Sequence, residues 1–344
     1  MMISGLITPL ITSKWRLNHI LGATQFGKFL FLFLVLAVSQ IRLANIRLIF
    51  MYMIVILIAL LDGFAEPVSE ALIPYYVIES QLVKANSLLS SVYQFLGVGS
   101  WALGSILLTF FHINQLLIFS IILAFGASAT MWMLPNTDQS LKKVSNWQQL
   151  TTGYETIRQS HLLRTVTLMD LVGTAADTVW VSSIILVFVH QVLHASSAWW
   201  GYINAGYMLG ALLGSFGCYL LARRLDQNII KSIILGSLLG SGVMLLVAFT
   251  KSTISVVIFS TLLGISTAIK DVPETTLVQK SAPNDMLVSV YALQNSIYTG
   301  VFSGATLFFG WISDILGVQT VFFSAAVLWC FIAVLAYRLK KIKV

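Results

Sequence analysis

Charge is scarce in this sequence. Asp, Glu, Lys and Arg make up 10% of its 344 residues, against roughly a quarter in a soluble domain. Apolar residues take the place of the missing charge at 58%, and the mean hydropathy is +0.88. A soluble fold of this size still leaves about a quarter of its chain surface in water, so the composition excludes soluble enzymes, nucleic-acid binders and secreted domains. Cysteine is scarce as well. Cys218 and Cys330 each lie in an apolar run with no CxxC or Cys/His neighbour; they read as buried, inert thiols and say nothing of redox compartment. The first residues do not read as a cleavable leader. The segment MMISGLITPLITSKWR places its basic residues last and has no small-residue cleavage site. Too short to span a bilayer, it reads as the tail end of a longer element.

What is present is a series of apolar runs of about 17–25 residues, the length that crosses a bilayer as helix. They are Gln25–Ile41, Arg47–Ala65, Asn86–Phe110, Gln115–Leu134, Arg164–His190, Trp199–Ala222, Ile229–Thr250, Ser252–Lys270, Leu287–Ile312 and Gln319–Tyr337. The chain is thus expected to be an all-α integral membrane protein, with about ten full transmembrane helices after an N-terminal partial helix. The net charge of +7 then becomes a matter of topology. With the stub in the cytoplasm, one set of loops holds Lys14, Arg16, Lys84, Lys142, Lys143, Arg158, Arg164, Arg223, Arg224, Lys231, Lys270, Lys280, Arg338, Lys340, Lys341 and Lys343. The opposite set holds Arg42, Arg47 and Lys251, and Lys28 falls near the inner end of the first span. Both termini are therefore expected inside, and no acidic partner or nucleic acid is needed to explain the charge.

The chain divides around one long polar segment. Residues 1–134 form an N-terminal half of four spans and a stub, 135–163 a central cytoplasmic linker, and 164–344 a C-terminal half of six spans. The halves echo each other at an offset of about 205 residues. GFAEPVSEALIPYYVIESQLVKANSLLSSVYQFLG is answered by AIKDVPETTLVQKSAPNDMLVSVYALQNSIYTG, which sets Glu70 opposite Glu274. Two half-length repeats in a polytopic chain point to a secondary transporter with its site at the repeat interface. If the repeats are equal, twelve spans are expected, and about one and a half helices are expected to be missing from the front.

At these residues the chain resembles the Major Facilitator Superfamily, and within it the bacterial efflux branch of macrolide exporters and the enterobactin exporter. Glu66-Pro67, the turn Ala71-Leu72-Ile73-Pro74, and Leu82 with Ala85-Asn86-Ser87 follow the branch's approach to its fifth helix. GYETIRQSHLLRTV and TTLVQKSAPNDMLVSVYAL resemble the approaches to the seventh and eleventh helices. Other motifs depart. The superfamily's inner-loop signature is here ITPLITSKWRLNHI, with Lys14 and Arg16 but no Asp. The antiporter glycine-proline motif is Ser100-Trp101-Ala102-Leu103-Gly104-Ser105. The resemblance implies a two-half helical bundle in the bacterial plasma membrane that lacks its first helix and most of its second. It further implies proton-coupled efflux of a drug-like or other small amphipathic molecule by alternating access, by a monomer without a cofactor.

Candidate site residues are the polar groups inside the spans, since a charge at mid-bilayer costs about 2.5–3.5 kcal/mol. Asp177 lies roughly 20 Å along its helix from Arg164, and Asp170 shares its face. Such a carboxylate can carry a proton or hold a cationic substrate; the plainer alternative is a salt bridge to a residue such as Arg164. Gln94, Asn204, Gln294 and Asn295, with Tyr93, Tyr207 and Tyr298 nearby, either line a substrate cavity or bond to neighbouring helices. Gly206, Gly210, Gly214 and Gly217 recur about once per turn, as helix-packing residues do, and Gly97, Gly99 and Gly104 read likewise. Glu66, Glu70 and Glu79, with Asp271, Glu274 and Asp285, form either a cytoplasmic loop latch or a solvated charged face. Two apparent motifs are dismissed. Gly22-Ala-Thr-Gln-Phe-Gly27-Lys28 has phosphate-loop spacing, but Phe29 stands where Ser or Thr must meet magnesium. His190 and His194 lack a third metal ligand. No metal is expected. Beside proton-coupled efflux stand an uncoupled or import-type permease and a truncated member that transports nothing. An integral-membrane enzyme is disfavoured, because the external loops are only about two to eight residues long.

Overall fold

The computed structural model describes residues 2–12, 14–41, 44–137, 146–180 and 182–341. Fourteen α-helices and no strand occur among them: α1 Met2–Thr12, α2 Leu17–Ser39, α3 Ala44–Tyr76, α4 Leu82–Phe110, α5 Ile113–Trp132, α6 Asn146–Gln159, α7 His161–Asp177, α8 Ser182–Gln191, α9 Ala198–Leu220, α10 Ala222–Asp226, α11 Ile229–Phe249, α12 Thr253–Ser281, α13 Leu287–Leu316 and α14 Val318–Lys341. Helix is the only open form of backbone that satisfies its own polar groups in hydrocarbon. The hydroxyls follow the same rule: Ser87, Ser91, Ser237, Ser266 and Thr276 each donate to a carbonyl four residues back in their own helix. Eight of these helices are long and apolar enough to cross a membrane, or nine where the pair α7 and α8, bent by 44°, is counted as one span. The expected run Asn86–Phe110 lies in the 29-residue α4. Large apolar side chains such as Phe33, Ile49, Tyr52 and Leu307 are turned outward, the arrangement of a protein whose solvent is lipid rather than water.

Several expectations are corrected by helix length. The segment read as an acidic loop after the second run is helical to Tyr76, because α3 has 33 residues and runs through Pro67 and Pro74. The segment that the sequence pairs with it lies in α12, through Pro273. Neighbouring helices can absorb the backbone groups that proline frees. Glu66, Glu70 and Glu274 are therefore helix residues rather than loop residues. The run Arg164–His190 is not one straight helix: α7 ends at Asp177, and a 3₁₀ turn at Thr178–Trp180 leads toward α8. Cys218 is buried as expected, but Cys330 is exposed on α14.

Residues pack into two units. In the first (1–76, 101–159 and 282–299), α2 lies against α3 and α5. The Asn18 amide donates to the Leu134 carbonyl and the Asn136 side chain, both at 3.2 Å, tying the start of α2 to the end of α5. Gly22 leaves room for the Trp132 indole. The N-terminal stub is the helix α1, packed on α3 and α6. The central segment contributes α6, whose Gly153 meets the Ser289 carbonyl of α13; the adjoining residues 138–145 lie outside the described residues.

In the second unit (77–100, 160–281 and 300–344), α12 packs against α9 on one side and α11 on the other, and α11 packs on α14. A core of Phe188, Met244, Phe322 and Trp329 fills the space near α8, α11 and α14. The beginning of α4 is held by polar contacts. Asn86 donates to Thr276 Oγ1 at 2.9 Å and Gln279 Oε1 at 2.7 Å, all three side chains being buried. Ser90 meets Ser215 of α9 at 2.7 Å, and Lys84 lies 5.1 Å from the Tyr219 ring centroid. Removing one member of a buried amide pair strands the other, at about 1–3 kcal/mol. Asn86→Leu is accordingly expected to lower the melting temperature of the detergent-solubilised protein, and Asn86→Leu with Gln279→Leu to regain part of the loss. Equal melting of single variant and parent would show that the interlock contributes nothing.

Candidate functional site

The strongest concentration of charge inside the bundle is on α12 and α7 of the second unit, beside an indole of α14. Lys270 lies about 17 Å from the C-terminal end of α12 by helical rise, and it is 3% exposed. Its ammonium bridges Asp271 Oδ1 at 2.5 Å and Glu274 Oε2 at 3.0 Å, the second an i,i+4 pair on one helical face. The Trp329 ring of α14 lies under it, with Nζ 5.6 Å from the ring centroid. Burying a lysine is tolerable only when its charge is met, and here carboxylates and an aromatic face meet it.

Helix α7 turns toward the same ammonium. Asp170, Gly173 and Asp177 are spaced i, i+3, i+7 and so share a face. A side chain at Gly173 would begin 3.5 Å from Lys270 Nζ, and Asp170 and Asp177 both act electrostatically on Lys270. Asp177 stands where α7 ends, before the bend, and the Trp329 indole approaches it from α14. Trp180 of the turn stacks on Tyr207 of α9, with centroids 6.3 Å apart, and meets Phe322 edge-on. Tyr207 in turn interacts with Asp177 and the Thr267 hydroxyl. Two carboxylates thus hold one ammonium, and two more act on it electrostatically. Glu274 Oε1 and the Trp180 indole N–H are buried with no hydrogen-bond partner among the described residues. An excess of carboxylates in a medium of low dielectric is stable only when met by protons or a cation.

The first unit has a smaller counterpart. Lys28 of α2 forms an ion pair with Asp62 of α3, and Glu66 and Glu70 follow Asp62 at i+4 and i+8. Lys28 is the twelfth residue of a 23-residue helix, not a residue near its end. Sequence reasoning missed Asp62, although an Asp inside an apolar run is the same signal that marks Asp177. It also counts Lys270 as a loop charge; the length of α12 makes it a buried one. Arg164, offered as the partner of Asp177, is exposed, and the cation near Asp177 is Lys270.

The remaining candidates separate. Asn204 donates to the Trp200 carbonyl of its own helix at 2.9 Å, and Gln94 is half-buried; both belong to the second unit. Gln294 is buried, and the half-buried Asn295 has an amide nitrogen without a partner among the described residues; both belong to the first unit. The glycines divide by contact. A Cβ at Gly206 would lie 2.8 Å from Ser260 Oγ, one at Gly214 2.8 Å from the Ala268 Cβ, and one at Gly210 would overlap the Thr261 carbonyl. At Gly217 a Cβ meets nothing within 4 Å, and at Gly97 only Met208, at 3.9 Å. The surroundings of Gly104 lie outside the described residues.

Long apolar helices, an outward apolar surface and charges kept inside the bundle define a polytopic membrane protein of transporter architecture. The Major Facilitator Superfamily model matches residues 2–305, and the chain belongs to that superfamily. It is 28% identical over 326 residues to YfmI of Bacillus subtilis strain 168, an uncharacterized MFS-type transporter, covering 94% of this chain and 80% of that one. It is also 28% identical over 269 residues to YjbB, another uncharacterized MFS-type transporter of the same organism, covering 78% of this chain and 66% of YjbB. Among solved structures, a variant of the Escherichia coli fucose:proton symporter FucP superposes with a TM-score of 0.75 at 16% identity, covering 98% of this chain and 87% of FucP. An outward-facing bacterial homologue of the iron transporter ferroportin gives 0.73 at 14% identity, covering 99% and 88%. At these identities the likeness shows the fold alone. The protein is a membrane transporter, not an enzyme.

Proposed function

We propose that this protein is a secondary active transporter of the bacterial plasma membrane that exports a small amphipathic molecule in exchange for protons. The observation that carries this reading is the excess of carboxylates around Lys270 beside the break between α7 and α8. Broken helices supply exposed backbone groups and a local change of direction where transporters bind their solutes. In this reading Asp177 is the coupling carboxylate and Asp170 its neighbour toward the cytoplasm. Alternating access moves residues 1–134 against residues 164–344, with both termini in the cytoplasm. Glu66 and Glu70 serve as latch residues on the inner extension of α3, whereas Glu274 belongs to the coupling cluster.

The test is proton movement in proteoliposomes that enclose a pH-sensitive dye. Neutral and charged amphipathic compounds are added across an imposed pH gradient. Compound-dependent proton flux is expected from the parent, and Asp177→Asn is expected to lower it at least about tenfold, the loss of a group needed in every cycle. Unchanged proton-linked flux in Asp177→Asn removes Asp177 from the coupling role. Compound flux that ignores a protonophore would instead identify an uncoupled permease.

A further inference from the structure

The Lys270 cluster contains its own cation, and this bears on what else binds there. Lys270 and Glu274 are sealed, at 3% and 2% exposure, whereas the Asp271 side chain is 51% exposed. Charged groups within a span face the bundle interior or water rather than lipid. Asp271 thus keeps an open side as well as its contact with Lys270, and Asp177 lies half-buried in the same cluster. The aromatic groups beside these carboxylates are Trp180, Tyr207 and Trp329, and the Trp180 indole N–H has no partner among the described residues. Carboxylates beside aromatic faces are the chemistry that holds organic cations. Lys270 is poorly placed to hold an anion, because its ammonium is already shared by two carboxylates and covered by an indole.

Resting on the transporter reading, we infer that the transported solute is an aromatic organic monocation, that Asp271 contacts it, and that Lys270 is an internal surrogate that occupies Asp271 until the solute displaces it. When the solute is bound, Glu274 keeps Lys270, 3.0 Å away on the same helical face, so the ammonium is never left uncompensated. A surrogate ion of this kind lowers solute affinity by competition and empties the site after release. It also makes Lys270 a brake on binding rather than a contributor to it.

The measurement is equilibrium dialysis of radiolabelled tetraphenylphosphonium against the purified full-length chain in detergent. No proton gradient is present, so failure of the coupling assignment to Asp177 leaves this result unaffected. The double variant Lys270→Gln with Glu274→Gln removes one charge of each sign and leaves net charge unchanged. It is expected to bind the probe about tenfold more tightly than the parent, equivalent to about 1.4 kcal/mol. Asp271→Asn is expected to abolish binding in both backgrounds, and benzoate at the same concentration is expected not to bind. Size-exclusion chromatography of each variant confirms that the chain is folded. Binding in the double variant equal to or weaker than in the parent overturns the surrogate role. Binding that survives Asp271→Asn overturns the contact, and benzoate binding that disappears in Lys270→Gln overturns the cation assignment.

Discussion

Gly210→Leu is expected to leave little folded protein, while Gly217→Leu, two turns further along the same helix, is expected to behave as the parent does. At Gly210 the first side-chain carbon would already overlap the Thr261 carbonyl, and Gly264 on the facing helix meets the Tyr207 carbonyl in the same way. Helices α9 and α12 thus touch backbone to backbone, and no rotamer of a larger residue relieves the overlap. Overpacking of this kind costs about 1–3 kcal/mol where side chains can move, and more where backbones must part. At Gly217 a Cβ finds open space, and Gly217→Ala is expected to be neutral or to stabilise by up to about 1 kcal/mol through helix propensity alone. The measurement is thermal melting of detergent-solubilised protein, followed by the monodisperse peak on size-exclusion chromatography. Equal losses at the two positions would mean that α9 does not pack on α12 along this face. The contact also constrains mechanism: two helices so closely apposed move as one body, so any conformational change must hinge elsewhere.

Lys270→Met is the second substitution with a large expected effect. It removes the ammonium that Glu274 faces and leaves that carboxylate buried without a cation, for which losses of about 3–5 kcal/mol are usual. Asp271, being half-exposed, contributes less to the loss. Adding Glu274→Gln removes the stranded charge, so Lys270→Met with Glu274→Gln is expected to recover most of the parent's melting temperature. A single variant as stable as the parent would show that the cluster is not held together by Lys270. A double variant no better than the single would place the loss elsewhere, for example in the contact between Gly236 of α11 and the Lys270 backbone.

The amino-acid pattern discloses the helices more readily than their lengths. Each of the ten apolar runs corresponds to a long helix or to the bent α7 and α8 pair, because composition governs whether a segment can lie in lipid. Its limit is seen in α3 and α12, which continue past their polar, proline-bearing stretches. Local sequence treats Pro67, Pro273 and their neighbouring carboxylates as loop signals. Packing against other helices makes them helix residues instead, since tertiary contacts can replace the hydrogen bonds that proline removes. That single misreading hides Lys270, which counts as a topogenic loop charge while lying buried among carboxylates. Asp177 is legible because it lies deep inside a run. Lys28 and Asp62 have the same signature, but their pairing joins two helices and emerges only when α2 lies against α3.

The sequence by itself determined that this protein is a polytopic helical membrane protein and that a few carboxylates lie within its spans. These properties follow from transfer free energies that each residue carries with it, so a linear reading finds them. Only the tertiary structure decided which of those carboxylates meet a cation, which glycines touch another backbone, and that a lysine counted toward the +7 topology is the centre of the cluster. Such properties depend on distances of a few ångströms between helices far apart in sequence, where one turn of rotation or a few more residues of helix exchanges a solvated charge for a buried one.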